Sequence, residues 1–264
     1  MARIKPPFPL TGRWAGLSVY PLRGVDDFVA RQPYGPSAKD IATKDCYALT
    51  RRNCFEFRGQ TAASKWLRRN FQPLEPIRDH PMSGPVTGFL KSFLALDTES
   101  TFGKRHLYLS KAPHLLQGIN LSGRYPFDAA VRGGVAYTLS RENLNATVSI
   151  PSLQPQINFT PPGGQPYFRA VATLGLAPDV FWTPQGYLPA QGYEQLFPAV
   201  VQSEWYPTAK GSEAHTLELG LPTAPPNEYF ALVLTVGIMM GAPGKRGELE
   251  AVNYAGCAKV LAAV

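Results

Sequence analysis

Four histidines and three cysteines are the residues of this 264-residue chain best suited to ligate a metal or act as base and nucleophile, and their spacing supports neither role. His80, His106, His114 and His215 form no HxH, HExxH or HxxxH set, and no cysteine or carboxylate stands at ligand spacing around His106 and His114. Cys46, Cys54 and Cys257 make no CxxC pair. On one continuous helix Cys46 and Cys54 would be ~12 Å apart, at ~1.5 Å per residue, too far for a disulfide. An odd number of thiols without a framework points to a reducing compartment or to indifference to redox. The stretch GAPGKRGE, Gly241 to Glu248, has the look of a phosphate loop but lacks the four-residue gap before Gly-Lys and the hydroxyl residue after it, so a hairpin tip is the better reading. No GxSxG elbow is present. The expectation is a chain without catalytic residues, metal or cofactor.

One pattern has a chemical use. Lys44, Arg51, Arg58 and Lys65 recur every seventh residue, and Arg69 extends the row. Residues 1–80 carry 14 Lys/Arg against 7 Asp/Glu, whereas the rest of the chain carries 12 of each, so the net charge of +7 resides in the first third. A basic front on a neutral body suits a polyanion or an acidic protein surface, and equally serves solubility. Zinc-finger spacing, an RNP-like strand and a GxxG loop of the KH type are all missing, and Asp40, Asp45 and Glu56 lie among the cations. Phe55, Phe57 and Trp66 are interleaved with them, which packing explains more simply than base stacking.

The elements that carry these residues read as follows. WAGLSVYPLRGVDDFVARQP gives two strands around a turn at Gly24. Ser37 and Asp40 form an aspartate version of the capping box and start a helix that the apolar period carries to Phe71. Ile41, Ala42, Cys46, Leu49, Phe57, Ala63, Leu67 and Phe71 fall within about 160° of its wheel, which predicts the buried face. The five cations make a stripe beside that face if the helix is straight; Gly59 costs ~1 kcal/mol relative to Ala and Thr61 offers a second cap, so a kink there is the expected weak point.

LTRRNCFEFRGQTAASKWLRRNF, LDTESTFGKRHL and LLQGINLSGRYPF together resemble a pattern in small Bacteroidota proteins: a hairpin, an R-x-N-x-x-E-F helix, then D-x-x-S-x-x-G-x-R and L-x-G-x-x-x-N. Arg51 or Arg52, Asn53, Glu56 and Phe57 match the first segment, Asp97, Ser100, Gly103 and Arg105 the second, and Leu116 and Gly118 the third, with Asn120 displaced by a residue or two. The resemblance covers roughly residues 12–125 and implies a shared scaffold, with no activity attached. It implies Asn53 and Glu56 as caps or bridges to the hairpin; Asp97 and Arg105 read physically as an ion pair that ties down the turn between them.

Behind residue 135 the period changes from 3.6 to 2. In NATVSI and HTLELGL, Ala146, Val148, Ile150, Leu217, Leu219 and Leu221 alternate with polar or small residues, and further strands are expected in VAYTL, YFRAVATL, DVFWT, YFALVLTVGIM and NYAGCAKVLAA. The 26 prolines, about twice the usual ~5%, punctuate them. The expected fold is α+β and β-dominated: an N-terminal hairpin–helix region over 1–128, then an antiparallel sandwich of fibronectin type III or immunoglobulin kind over 129–264. The longest apolar run, Tyr229 to Met240, is about half of the ~20 residues a spanning helix needs, and MARIKPPFPLTGRW has no apolar stretch of a Sec signal. That leaves a cytoplasmic protein or one exported without a cleaved signal. The expected function is a non-enzymatic subunit that self-assembles into an oligomer or filament through sheet edges, the proline-rich arm MARIKPPFPL and the basic helix. The alternative is a polyanion-binding module, for nucleic acid or acidic glycan, using Lys44, Arg51, Arg58, Lys65 and Arg69.

Overall fold

The run Tyr229–Met240 is too continuous for a half-exposed strand, and in the computed structural model of the chain nearly all of it lies in the middle of a sheet buried on both faces. The structure describes residues 2–4 (backbone only), 11–21, 27–32, 35–78, 81–245 and 247–264. Gly24, His80 and most of the proline-rich arm lie outside the described residues. The chain divides into two compact units, 1–51 and 52–264.

The first unit holds four short strands, β1 (Ala2–Ile4), β2 (Gly12–Trp14), β3 (Leu17–Pro21) and β4 (Phe28–Arg31), in the order β1-β4-β3-β2, every pairing antiparallel. β3 and β4 are the two arms of the expected hairpin. Three residues of the arm, Ala2–Ile4, pair with the chain's own β4. The capping box is formed: Asp40 N–H donates to the Ser37 hydroxyl at 3.0 Å and Ser37 N–H to the Asp40 carboxylate at 3.2 Å, opening α1 (Ala38–Thr43).

The long helix is interrupted well before the expected weak point at Gly59. Lys44 has extended backbone (φ −80°, ψ 137°), and the Asp45–Tyr47 3₁₀ turn follows before α2 (Ala48–Asn70) begins. Gly59, the expected weak point, sits in an unbroken stretch of α2. Its missing Cβ is required by packing: a methyl there would stand 2.6 Å from the Tyr187 ring and 2.9 Å from Leu107. The buried face of α2 is also rotated from the expected one. Glu56, Gly59, Gln60, Ala63, Ser64, Leu67 and Asn70 are buried at three- and four-residue spacing, whereas Leu49 and Phe57 are 62% and 59% exposed. Hydropathy misses this because the inward face carries polar residues, of which Glu56 and Asn70 find partners inside.

The remaining elements follow the helix: α3 (Ser83–Phe89), α4 (Lys91–Leu94), α5 (Phe127–Ala130), then β5 (Ala136–Ser140), β6 (Asn145–Ile150), β7 (Tyr167–Pro178), β8 (Val180–Thr183), β9 (Gly186–Pro189), β10 (Ala199–Gln202), β11 (Tyr206–Pro207), β12 (His215–Gly220), β13 (Phe230–Pro243) and β14 (Leu249–Ala263). The central sheet runs β10-β7-β13-β14, with β11 also on β7; β12-β6-β5 form a second sheet and β8-β9 a hairpin, all antiparallel. The expected tip in GAPGKRGE falls where β13 ends, at Pro243, and β14 begins, at Leu249, with Arg246 outside the described residues.

Alternation places the core. Phe168, Ala170, Ala172, Leu174 and their β13 counterparts Leu232, Leu234, Val236 and Ile238 cluster with Val148, Ile150, Leu217 and Leu219 of the second sheet. The intervening residues Val171, Val233 and Val260 cluster with Ala63, Leu67, Phe71 and Ile77. The central sheet therefore has a sheet on one side and helices on the other, and its inner strands β7 and β13 are buried at nearly every position for that reason. The fold is α+β and β-dominated. The boundary expected near residue 128 falls inside the second unit, because residues 63–121 share one core with β7, β13 and β14. Among the described residues no helix is long and apolar enough to cross a membrane.

Candidate functional site

Glu56 and the loop from Asp97 to Arg105 form a closed knot of charge. The Arg105 guanidinium donates from Nε to Glu56 Oε1 at 2.7 Å and from Nη2 to Oε2 at 2.8 Å, and Gly103 N–H donates to Oε1 at 2.9 Å. Burial pushes the Glu56 carboxyl up, but Arg105 and the Gly103 N–H outweigh it and hold the group below its usual range. Gly103, at φ +99°, presses on Arg52, whose Cβ is 3.0 Å from where a side chain would start, so only glycine fits. The Tyr187 hydroxyl donates to the Arg105 carbonyl at 3.0 Å across Gly59.

The expected Asp97–Arg105 pair is not the bond that ties the loop. Asp97 accepts the backbone N–H groups of Glu99 (3.1 Å), Ser100 (3.0 Å) and His106 (2.7 Å), leaving Arg105 to Glu56. Burial opposes ionisation of Asp97, and the N–H groups of His106, Ser100 and Glu99 with the Ser100 side chain prevail, lowering its pKa to about 2. Glu56 bonds to this loop, and Asn53 is exposed on α2.

The five cations of the expected stripe have separate occupations. Lys44 pairs with Asp40 at 2.7 Å. Arg51 turns back and donates to the carbonyls of Ile41 and Lys44, both at 2.7 Å, satisfying acceptors that the break after α1 leaves open. Arg58 lies over the Phe55 ring. Lys65 and Arg69 alone meet, at the far end of α2. There they join Arg68 and, from the 3₁₀ segment Gln72–Ile77 and its cap, Glu75 and Arg78, around a cleft of about 520 Å³ also lined by Trp66 and Glu194.

Within the cleft Arg69 is held in place: it donates to the Glu194 carbonyl at 2.7 Å and lies over the rings of Trp66 and Phe197 at 5.3 and 4.2 Å. Arg78 pairs with Glu75. The Nε groups of Arg68 and Arg78 are buried without a hydrogen-bond partner. A seven-residue count picks Lys65 and passes over Arg68 and Arg78. The signal that finds Arg68 is the i, i+3, i+4 triplet Lys65, Arg68, Arg69 immediately before the proline-marked helix end at Pro73; Arg78, beyond that end, has no such signal.

A second depression, about 560 Å³, lies along β10 and β12 and is lined mainly by residues 196–201, Glu218 and residues 220–223. Each of these strands is the outermost of its sheet. Phe197, 64% exposed, stands between groove and cleft. Elsewhere, Asp179 is wholly buried and accepts the N–H and hydroxyl of Ser110 at 2.8 and 2.6 Å; burial pushes its carboxyl up against those bonds. His106 Nδ1 accepts the Trp182 N–H at 3.0 Å. The three thiols are free, and burial pushes that of Cys257 up to about 12. Among the described residues no three His, Cys, Asp or Glu side chains gather as a metal would need.

Compared with protein-family models, curated proteins and solved structures, the chain matches none of them.

Proposed function

We propose that the chain is a non-enzymatic structural subunit that self-associates, with its two facing antiparallel sheets as a fibronectin-like body and the flank of β10 and β12 as the contact. The observation that carries this reading is the pair of outermost strands lining one groove, with the apolar side chains of Phe197 and Val200 exposed on it. An outermost strand presents unpaired N–H and C=O groups, and another strand satisfies them best. A second copy brings such edges with it, so no other partner is needed. Membership of the Bacteroidota family is proposed with it. Supporting that is the meeting of Glu56, Asp97, Ser100, Gly103 and Arg105, separated in sequence, in one knot, where the shared motif serves the scaffold.

The test is the solution mass of the full chain, by size-exclusion chromatography with light scattering at about physiological salt. A defined multimer or a polymer is expected, with Phe197→Asp and Val200→Lys shifting it toward monomer while the circular dichroism spectrum stays unchanged. A wild-type chain that remains monomeric at high concentration across salt conditions overturns the reading.

A further inference from the structure

The self-association reading leaves the cleft at the end of α2 without a task. Lys65, Arg68 and Arg69 share one face of the helix at i, i+3 and i+4, and Arg78 comes in from the segment behind. Like charges at that spacing repel one another, so the grouping lowers stability unless something answers it. Two carboxylates line the cleft, and Glu75 is taken by Arg78. Among the described residues no carboxylate lies within ion-pair distance of Lys65, Arg68 or Arg69.

The donors are also set in advance. Arg69 is fixed by the Glu194 carbonyl and two ring faces, Arg78 by Glu75, and a buried Nε on Arg68 and on Arg78 remains without an acceptor. Guanidinium forks match the oxygens of a phosphate two at a time, and side chains already ordered lose little freedom when they bind. The space, about 520 Å³, is of the size that holds a metabolite, and Trp66 gives it an apolar wall. A nucleic-acid strand would need a run of contacts along its backbone, but Arg51 is turned onto its own carbonyls and Arg58 onto Phe55.

We infer that the cleft between the last turns of α2 and the following 3₁₀ segment binds a small organic phosphate carrying two or more negative charges, held by Arg68, Arg69, Arg78 and Lys65 beside Trp66.

The experiment is calorimetric titration of the full chain with inorganic pyrophosphate, with tryptophan fluorescence followed in parallel and a single-stranded oligonucleotide lacking terminal phosphates as the second arm. The expected result is one pyrophosphate per chain, affinity falling with salt, and a fluorescence change that Trp66→Phe removes. Arg68→Gln and Arg78→Gln each weaken binding at least tenfold with the thermal transition retained, and Arg58→Gln, outside the cleft on the same helix, leaves it within twofold. The inference is overturned by absence of pyrophosphate binding at about physiological salt, by cleft variants that bind like the wild type, or by an oligonucleotide that binds while pyrophosphate fails to displace it. None of these readings depends on whether the chain forms a multimer.

Discussion

At Glu56, α2 carries a buried carboxylate both of whose oxygens are taken, by Arg105 and by the Gly103 N–H; about three turns further on, at Arg68, it carries a guanidinium with a buried and unpartnered Nε. Both regions are built from charged residues on one helix. The knot closes on itself, so its charges act as architecture and fix the loop from Asp97 to Arg105 against α2. The cleft keeps an excess of positive charge that the fold does not consume. The difference teaches how to tell a site from a scaffold here: by counting which donors and acceptors are already spent, which charge alone does not reveal.

If that distinction is right, the knot should be costly to open. Glu56→Gln removes the negative partner of a pair in which the carboxylate is 4% exposed, and breaking a buried pair from one side costs about 3 kcal/mol. Urea unfolding of the purified variant measures it; a loss under about 0.5 kcal/mol would place the Glu56 knot among ordinary surface pairs.

The next effect is read by pH. Asp97 titrates at about 2 when folded against 3.8 in the free residue. A carboxyl lowered in this way contributes stability above pH ~4, and that contribution, about 2 kcal/mol, is lost as pH falls from ~4 toward ~2. Unfolding midpoints across that window should fall more in the wild type than in Asp97→Asn, which is already without the contribution. Parallel curves for the two proteins would remove Asp97 from the account.

Gly59 tests the packing that holds the knot shut. In an exposed helix a Gly→Ala change gains ~1 kcal/mol, but here the new methyl meets Tyr187, whose hydroxyl reaches the Arg105 carbonyl. A net loss of about 1–2 kcal/mol is expected in thermal unfolding, as for overpacked cores. A gain in stability would mean that the Tyr187 ring gives way freely.

Much of the second unit was legible. Val148, Ile150, Leu217 and Leu219 alternate cleanly and are buried, because each sits on a strand with one face inward. The continuous run from Phe230 is buried throughout, because its sheet is covered on both sides. What could not be read depends on contacts between distant positions. The break at Lys44 lies beside the weak helix formers Thr43 and Asp45, but no Gly or Pro marks it, and it is stabilised by Arg51 reaching back to two carbonyls. Glu56 counts as polar in any hydropathy pattern and is inward only because Arg105, 49 residues away, meets it there. The β10 strand is four residues long after Pro198, too short for a period to show. Of the cleft, Lys65 and Arg69 stood in the expected stripe; Arg78 enters from the far side of a helix end that no spacing rule crosses.

The smallest effect is the most telling, because its sign is opposite. Arg68→Gln removes a cation from a group of like charges with no carboxylate close enough to answer it among the described residues. The repulsion relieved at i, i+3 spacing is a few tenths of a kcal/mol, so the variant should be as stable as the wild type or slightly more so at low salt. Raising the salt screens the repulsion and should erase the gain. A binding residue has this signature, since it is kept at some expense to the fold. Were Arg68→Gln to lose a kcal/mol or more, independent of salt, its guanidinium would be spent inside the fold as that of Arg105 is, and the contrast between the two regions of α2 would collapse.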